Sequence, residues 1–167
     1  MEMKVRQVQK SDLEAVVAIE QAGFSPAEAA SASTFAARIE NMAETFLVAV
    51  ADQGQVCGFV CGLTTTTRYV EDWMYEAQAK SISDGKYLNI LSIAVAPKKR
   101  GQKLGSALLT ALEEVAKAKE ISSLSLTCLA DRIGFYERNG YHNQGQSAST
   151  HANEVWYDME KIISKKF

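Results

Sequence analysis

Residues 88 to 109 constrain the fold more than any other stretch. The run Leu88-Asn-Ile-Leu-Ser-Ile-Ala-Val95 is apolar at Ile90, Leu91, Ile93 and Val95 and stops at Pro97. A run of this kind reads as a strand largely buried on both faces. Past Arg100 the period changes: Leu104, Leu108, Leu112 and Val115, with Ala107, Ala111 and Ala118, recur at helical spacing. A strand therefore leaves the core, crosses a short basic loop that carries glycine, and enters a helix. At such a junction the loop amides and the first amides of the helix lack partners and face one way. With the positive end of the helix dipole they make a site for a phosphate or pyrophosphate. Lys98, Lys99, Arg100 and Lys103 surround it with positive charge. The expected occupant is an anionic, phosphate-bearing ligand; the plainer account is a solvated basic turn.

Composition narrows the class. A chain of 167 residues, 47% of them hydrophobic, suits one domain, residues 1–167, around one sizeable core. A formal net charge of −2 argues against a general nucleic-acid binder, so the basic cluster is local. The N-terminal residues lack the apolar region of a signal peptide, and no apolar run is long enough to span a membrane. A cytoplasmic location, with no membrane partner, is expected. Cys57, Cys61 and Cys128 each sit in an apolar segment and read as buried reduced thiols. No Cys or His lies near enough in sequence to complete a zinc quartet, so no metal is expected.

Taken in order, Lys4 to Gln9 predicts a first strand. Ser11-Asp-Leu-Glu14 is a capping box opening a helix whose inner face holds Leu13, Val16, Val17 and Ile19. Ser25-Pro-Ala-Glu28 reads as a second helix start, running with a break to about Met42. Phe46–Val50 and Val56–Leu63 make a hairpin around Gly54, with Gly58 and Gly62 marking close backbone approach or a bulge. A short helix is expected around Val70 to Lys80. After the central strand and helix come a strand at Ser123–Cys128 and a helix at Arg132–Asn139 closed by Gly140. Two last strands follow, at Tyr141–Gln146 and Val155–Lys161.

Two phosphate-binding fingerprints are missing: neither GxxxxGK followed by Ser or Thr nor GxGxxG occurs. Arg100-Gly-Gln-Lys-Leu-Gly105 instead resembles the acetyl-CoA signature of the GNAT superfamily of N-acetyltransferases, Gln/Arg-x-x-Gly-x-Gly/Ala. It matches at the first and last positions and departs at the fourth, where Lys103 replaces the usual glycine. Gly134-Phe-Tyr-Glu-Arg-Asn-Gly-Tyr141 is similar to a second family motif, Phe-Tyr-x-Lys/Arg-x-Gly-Phe/Tyr. The resemblance covers essentially the whole chain. It implies a mixed α/β fold with a mostly antiparallel central sheet of about seven strands and about four helices. Within the superfamily, Cys128 to His142 and Val70 to Tyr75 look most like the arylalkylamine N-acetyltransferase branch.

The resemblance also implies a division of labour. Acetyl-CoA is the expected cosubstrate and a small primary amine, aromatic or arylalkyl, the expected acceptor. Leu91, Ile93, Ala94 and Val95 would bind the acetyl and pantetheine groups where two strands splay apart. Gly101, Gln102, Lys103, Leu104, Gly105 and Ser106 would give amides to the pyrophosphate, with Arg100 beside them. Tyr136 is the expected general acid, protonating the leaving thiolate. The strand histidines of the arylalkylamine branch fall at Asn89 and Leu91 here, so the base is open; Asn89 holding a water, with Ser92, and His151 are the candidates. Phe24, Tyr69, Trp73 and Tyr75 would select the amine by stacking and cation–π contact. Two alternatives stand beside this reading: a protein N-terminus or lysine as acceptor, and a silent acyl-CoA-binding module. The oligomeric state is open, a homodimer included.

Overall fold

In the computed structural model, which describes residues 3–163, seven strands form one mixed sheet in the order β1-β2-β3-β4-β5-β7-β6. The strands are β1 Lys4–Gln7, β2 Phe46–Val50, β3 Val56–Thr65, β4 Tyr87–Val95, β5 Ser123–Cys128, β6 His142–Gln146 and β7 Tyr157–Ile162. The helices are α1 Leu13–Gly23, α2 Ala32–Asn41, α3 Leu104–Ala118 and α4 Ile133–Arg138. Only β4 and β5 run parallel; every other neighbouring pair is antiparallel.

Alternation along the strands divides the core between the two faces. Leu47, Ala49, Val60, Leu88 and Ile90 pack with Leu104, Leu108 and Leu112 of α3. Phe46, Val48 and Phe59 pack on the other face with Val16 and Ile19 of α1 and Phe35 and Ile39 of α2. Phe35 meets Phe59 edge to face at 5.4 Å, the favoured aromatic geometry.

Two irregularities position the site. The β3–β4 register passes from Cys61 opposite Ser92 to Gly62 opposite Ile90, so Leu91 is an extra, unpaired residue in β4. Such a bulge turns neighbouring side chains toward one face. Gly62 is obligatory beside it, because a Cβ there would stand 2.5 Å from Asn89 O. The second irregularity is a splay. β4 and β5 pair only at Tyr87–Ser123, Leu88–Leu124 and Asn89–Ser125, then part. Their paired end is clasped by Arg68, which donates to both oxygens of Glu160 (2.8 and 2.7 Å), with Ser123 Oγ donating to Oε2 at 2.9 Å.

Three sequence expectations need correction. The capping box lies two residues earlier than Ser11–Glu14: the Asp12 carboxylate accepts from Gln9 N–H at 2.8 Å and pairs with Arg6, so a short 3₁₀ turn precedes α1. The helix expected from Ser25 makes a single turn. Glu28 does bond back to Ser25 N–H and Ala29 N–H reaches Ser25 O. The next amide, Ala30, is drawn off by the Glu20 carboxylate at 3.0 Å, and the helix starts only at Ala32, capped by Ser31 Oγ on Thr34 N–H. Finally, residues 70–80 hold only the 3₁₀ turn Asp72–Tyr75. There Val70, Met74 and Ala79 are pinned in a small cluster with Leu63 and Met42, and Glu76 turns extended.

Candidate active site

The splay opens two connected hollows. A groove of about 650 Å³ runs from the β4 end over the loop to α3, and a cleft of about 280 Å³ lies between β4, β5 and the loops after α1 and β6. Gly23, Phe24, Ile93, Arg132 and Tyr136 line both.

In the groove the chain turns through Gly101 (φ +82°) and Lys103 (φ +62°), two left-handed residues in a row of three. This explains the glycine normally found at the fourth motif position: the backbone there is left-handed, and a side chain is held at a cost of about 1–2 kcal/mol. The Lys103 side chain is exposed, leaving the amide side clear. Ala107 is the first residue of the helix entrance to reach a backbone acceptor, donating to Lys103 O; among the described residues the amides of 101 to 106 have none. Arg100 Nε donates to Val95 O at 3.2 Å, which holds the guanidinium against the groove wall. Ile93, Ala94, Val95, Arg100, Gly101, Lys103, Leu104, Gly105 and Ser106 all line the groove. Leu91 lines the cleft instead, as the bulge requires, and Gln102 lines neither hollow. Lys99, one of the charges expected around the phosphate, lines the groove too, and Phe135, Arg138 and Asn139, not expected from sequence, complete its wall.

Tyr136 stands where the hollows meet. It is 8% exposed, packed edge-on against Phe135 and Tyr141, and its hydroxyl makes no hydrogen bond to a described residue. Burial, and then Cys128 beside it, push the phenol well above the usual tyrosine range. It is therefore a neutral proton donor at any physiological pH. Cys128, at the end of β5 in the cleft, is raised to about 11, mainly by burial.

The cleft contains Phe24, Tyr75 and His151 of the expected residues. Tyr75 donates to or accepts from Thr127 Oγ1 at 2.9 Å and stacks on His151 at 5.1 Å, with Trp156 5.8 Å beyond. Tyr69 and Trp73 are not in the lining: Tyr69 lies under Arg68, and Trp73 is 43% exposed with its Nε1–H on Glu71. Asn89 is also outside. It is fully buried, and its amide accepts from Thr65 Oγ1 (2.6 Å) and donates to Thr67 O and Ser125 Oγ (3.0 and 3.1 Å), filling the gap where β4 and β5 begin to part. Both amide protons are spent on protein acceptors, while the oxygen keeps one lone pair.

What the sequence reading missed is Glu20. It is 3% exposed, yet its carboxylate lines the cleft, with Oε1 accepting from Ser92 Oγ at 2.6 Å and Oε2 from Ala30 N–H. Burial raises its pKa, opposed by those two donors and by the Arg38 cation. A buried carboxylate held between a hydroxyl and a cleft is placed to act on a proton of a group bound in that cleft. The signal was present: Val16, Ile19 and Glu20 share the buried stripe of α1, where an acid is out of place. Glu28, Asp131 and Trp156 also line the cleft.

The sequence profile described as the acetyltransferase (GNAT) family matches residues 13–141. A curated relative, glucosamine 6-phosphate N-acetyltransferase from Candida albicans, is 39% identical over 61 residues, spanning 36% of this chain and 41% of that protein. Ard1 from Thermoplasma volcanium has a similar fold, with a TM-score of 0.79 at 21% identity over 99% of this chain and all of that one. The phosphinothricin acetyltransferase from Sinorhizobium meliloti, solved in complex with acetyl-CoA, gives 0.74 at 16% identity, covering 99% of this chain and 90% of that one. Among the described residues no helix is long and apolar enough to cross a membrane.

Proposed function

This chain belongs to the acetyltransferase (GNAT) family, with acetyl-CoA as cosubstrate, and we propose that it acetylates a small primary amine bearing an apolar or aromatic group. The observation that carries the reading is Tyr136, whose ring lines both the groove and the cleft. A donor to sulfur thus sits where a thioester in one would meet an amine in the other.

The residues divide as follows. The amides of Gly101 and of residues 103 to 106, with Arg100, hold the pyrophosphate, and the freed edge of β4 at Ile93 to Val95 orients the pantetheine arm. The cleft is at the small end of ligand pockets, which favours a compact acceptor. Phe24, Tyr75, His151 and Trp156 supply aromatic faces, and Glu28 and Asp131 attract an ammonium to the mouth. Glu20 takes one proton from the ammonium. The neutral nitrogen then attacks the thioester carbonyl, an N–C bond forms and the C–S bond breaks. Tyr136 gives its proton to the departing sulfur and regains one from the acylated nitrogen through cleft solvent.

The test is a thiol-release assay with acetyl-CoA against arylalkylamines, simple alkylamines, amino sugars and peptides with free N-termini. Turnover should be highest for the arylalkylamines. A preference for peptides would move the acceptor to a protein, and acetyl-CoA binding without turnover of any amine would leave a silent binding module.

A further inference from the structure

Helices α1 and α2 bury stripes of the same spacing, Val16-Ile19-Glu20 and Phe35-Arg38-Ile39, each with one charge on it and of opposite sign. Both stripes lie on the same face of the sheet, over β2, β3 and Ala94 of β4. Arg38 is 2% exposed, and no described carboxylate pairs with it directly. Its Nη1 donates to Cys61 Sγ at 3.9 Å, its Cζ lies 5.1 Å over the Phe35 ring, and Nε has no partner. As pure structure this is poor design, because a buried charge costs several kcal/mol that an apolar side chain would not.

The register shows what the charge faces. Cys61 on β3 stands opposite Ser92 on β4, at the bulge, and the Ser92 hydroxyl donates to Glu20. Arg38, Cys61, Ser92 and Glu20 thus form one polar row across a face otherwise built of Phe35, Phe46, Val48 and Phe59. We propose that Arg38 is a positioning residue for acetyl transfer: its buried cation is the counter-charge that keeps Glu20 ready to accept the ammonium proton.

This rests on Glu20 as the base. In surroundings this apolar a charge acts over a longer reach than in water, so direct contact is not required. The groups facing Glu20 are the Ser92 hydroxyl from β4, the Ala30 amide from the α1–α2 loop, Arg38 from α2 and the Cys61 thiol from β3. The other titratable or charged groups lining its cleft are Glu28, Tyr75, Cys128, Asp131, Arg132, Tyr136 and His151. Cys61, raised to about 11 chiefly by burial, stays a neutral thiol and passes the field without screening it.

The experiment compares pH profiles of turnover for the whole protein, Arg38→Met, Arg38→Lys and Glu20→Gln, with acetyl-CoA affinity and thermal melting as folding controls. Arg38→Met should move the acidic limb up by about one pH unit and lower turnover near that limb roughly tenfold, with acetyl-CoA affinity unchanged. Arg38→Lys, which keeps the charge, should keep the limb. An acidic limb unmoved in Arg38→Met while Glu20→Gln abolishes turnover would overturn the role of Arg38 and leave that of Glu20. Full activity in Glu20→Gln would overturn the base assignment itself. If Arg38→Met does not fold, the lysine variant decides: a limb displaced as far as one unit despite the retained charge would sink the proposal.

Discussion

A Cβ placed on Gly105 would stand 3.0 Å from Cζ of Phe135. The glycine that closes the pyrophosphate motif is therefore fixed by a ring of the neighbouring helix as well as by the groove it lines. Gly105→Val should force Phe135 outward into the groove, lowering stability by about 1–3 kcal/mol and weakening acetyl-CoA binding. Phe135→Leu in the same chain should restore part of both. Calorimetric titration and thermal melting of the single and double variants check this; strict additivity would mean the two residues do not meet.

Lys103 offers a cleaner test of backbone strain. Its left-handed conformation is intrinsic to the turn, so the residue best suited to it lacks a Cβ. Lys103→Gly should be more stable than Lys103→Ala by about 1 kcal/mol, the reverse of their order in a helix interior. Both lose the same charge, so chemical denaturation of the pair isolates the conformational effect. Equal stability would show that the loop relaxes.

Tyr136→Phe should lower turnover by about 10²-fold or more, with the acetyl-CoA KM changed little. Because the hydroxyl makes no hydrogen bond to a described residue, its removal should leave the melting temperature unchanged. A fall in stability with turnover intact would assign the phenol to packing.

Asp12 links the first strand to α1 and gives the fold an acid-sensitive joint. Arg6 first, and the Gln9 amide, hold its carboxyl below the ordinary aspartate range, with burial opposing them. A depressed folded pKa means stability present above the unfolded value of about 3.9 and lost as pH falls through the folded one. Asp12→Ala should cost about 1–2 kcal/mol at pH 7, as expected for a lost cap. It should also show a shallower decline of stability in acid. Urea melts at pH 7 and pH 3 measure both effects, and an unchanged acid slope would refute the linkage.

The strand-to-helix junction was legible because one period gives way to another at Pro97 and Arg100, a change that survives any tertiary context. Ser123–Cys128 was legible from its alternation. The segment expected from Ser25 breaks after a single turn because its continuation depends on Ala30, whose amide goes to a carboxylate ten residues back, a contact no local pattern announces. Asn89 and Glu20 show the same limit within the site. One is polar on a central strand and reads as chemistry, yet it fills a gap between strands. The other is one acid among many, and only the face it occupies marks it.

Three residue pairs are all that join β4 to β5. The molecule is in effect two smaller sheets stapled at one end, with Arg68 and Glu160 as the staple. Pantetheine amides lying in the open end would add the missing rungs of the ladder. Acetyl-CoA would then be mortar as well as reagent, and the empty enzyme the looser building.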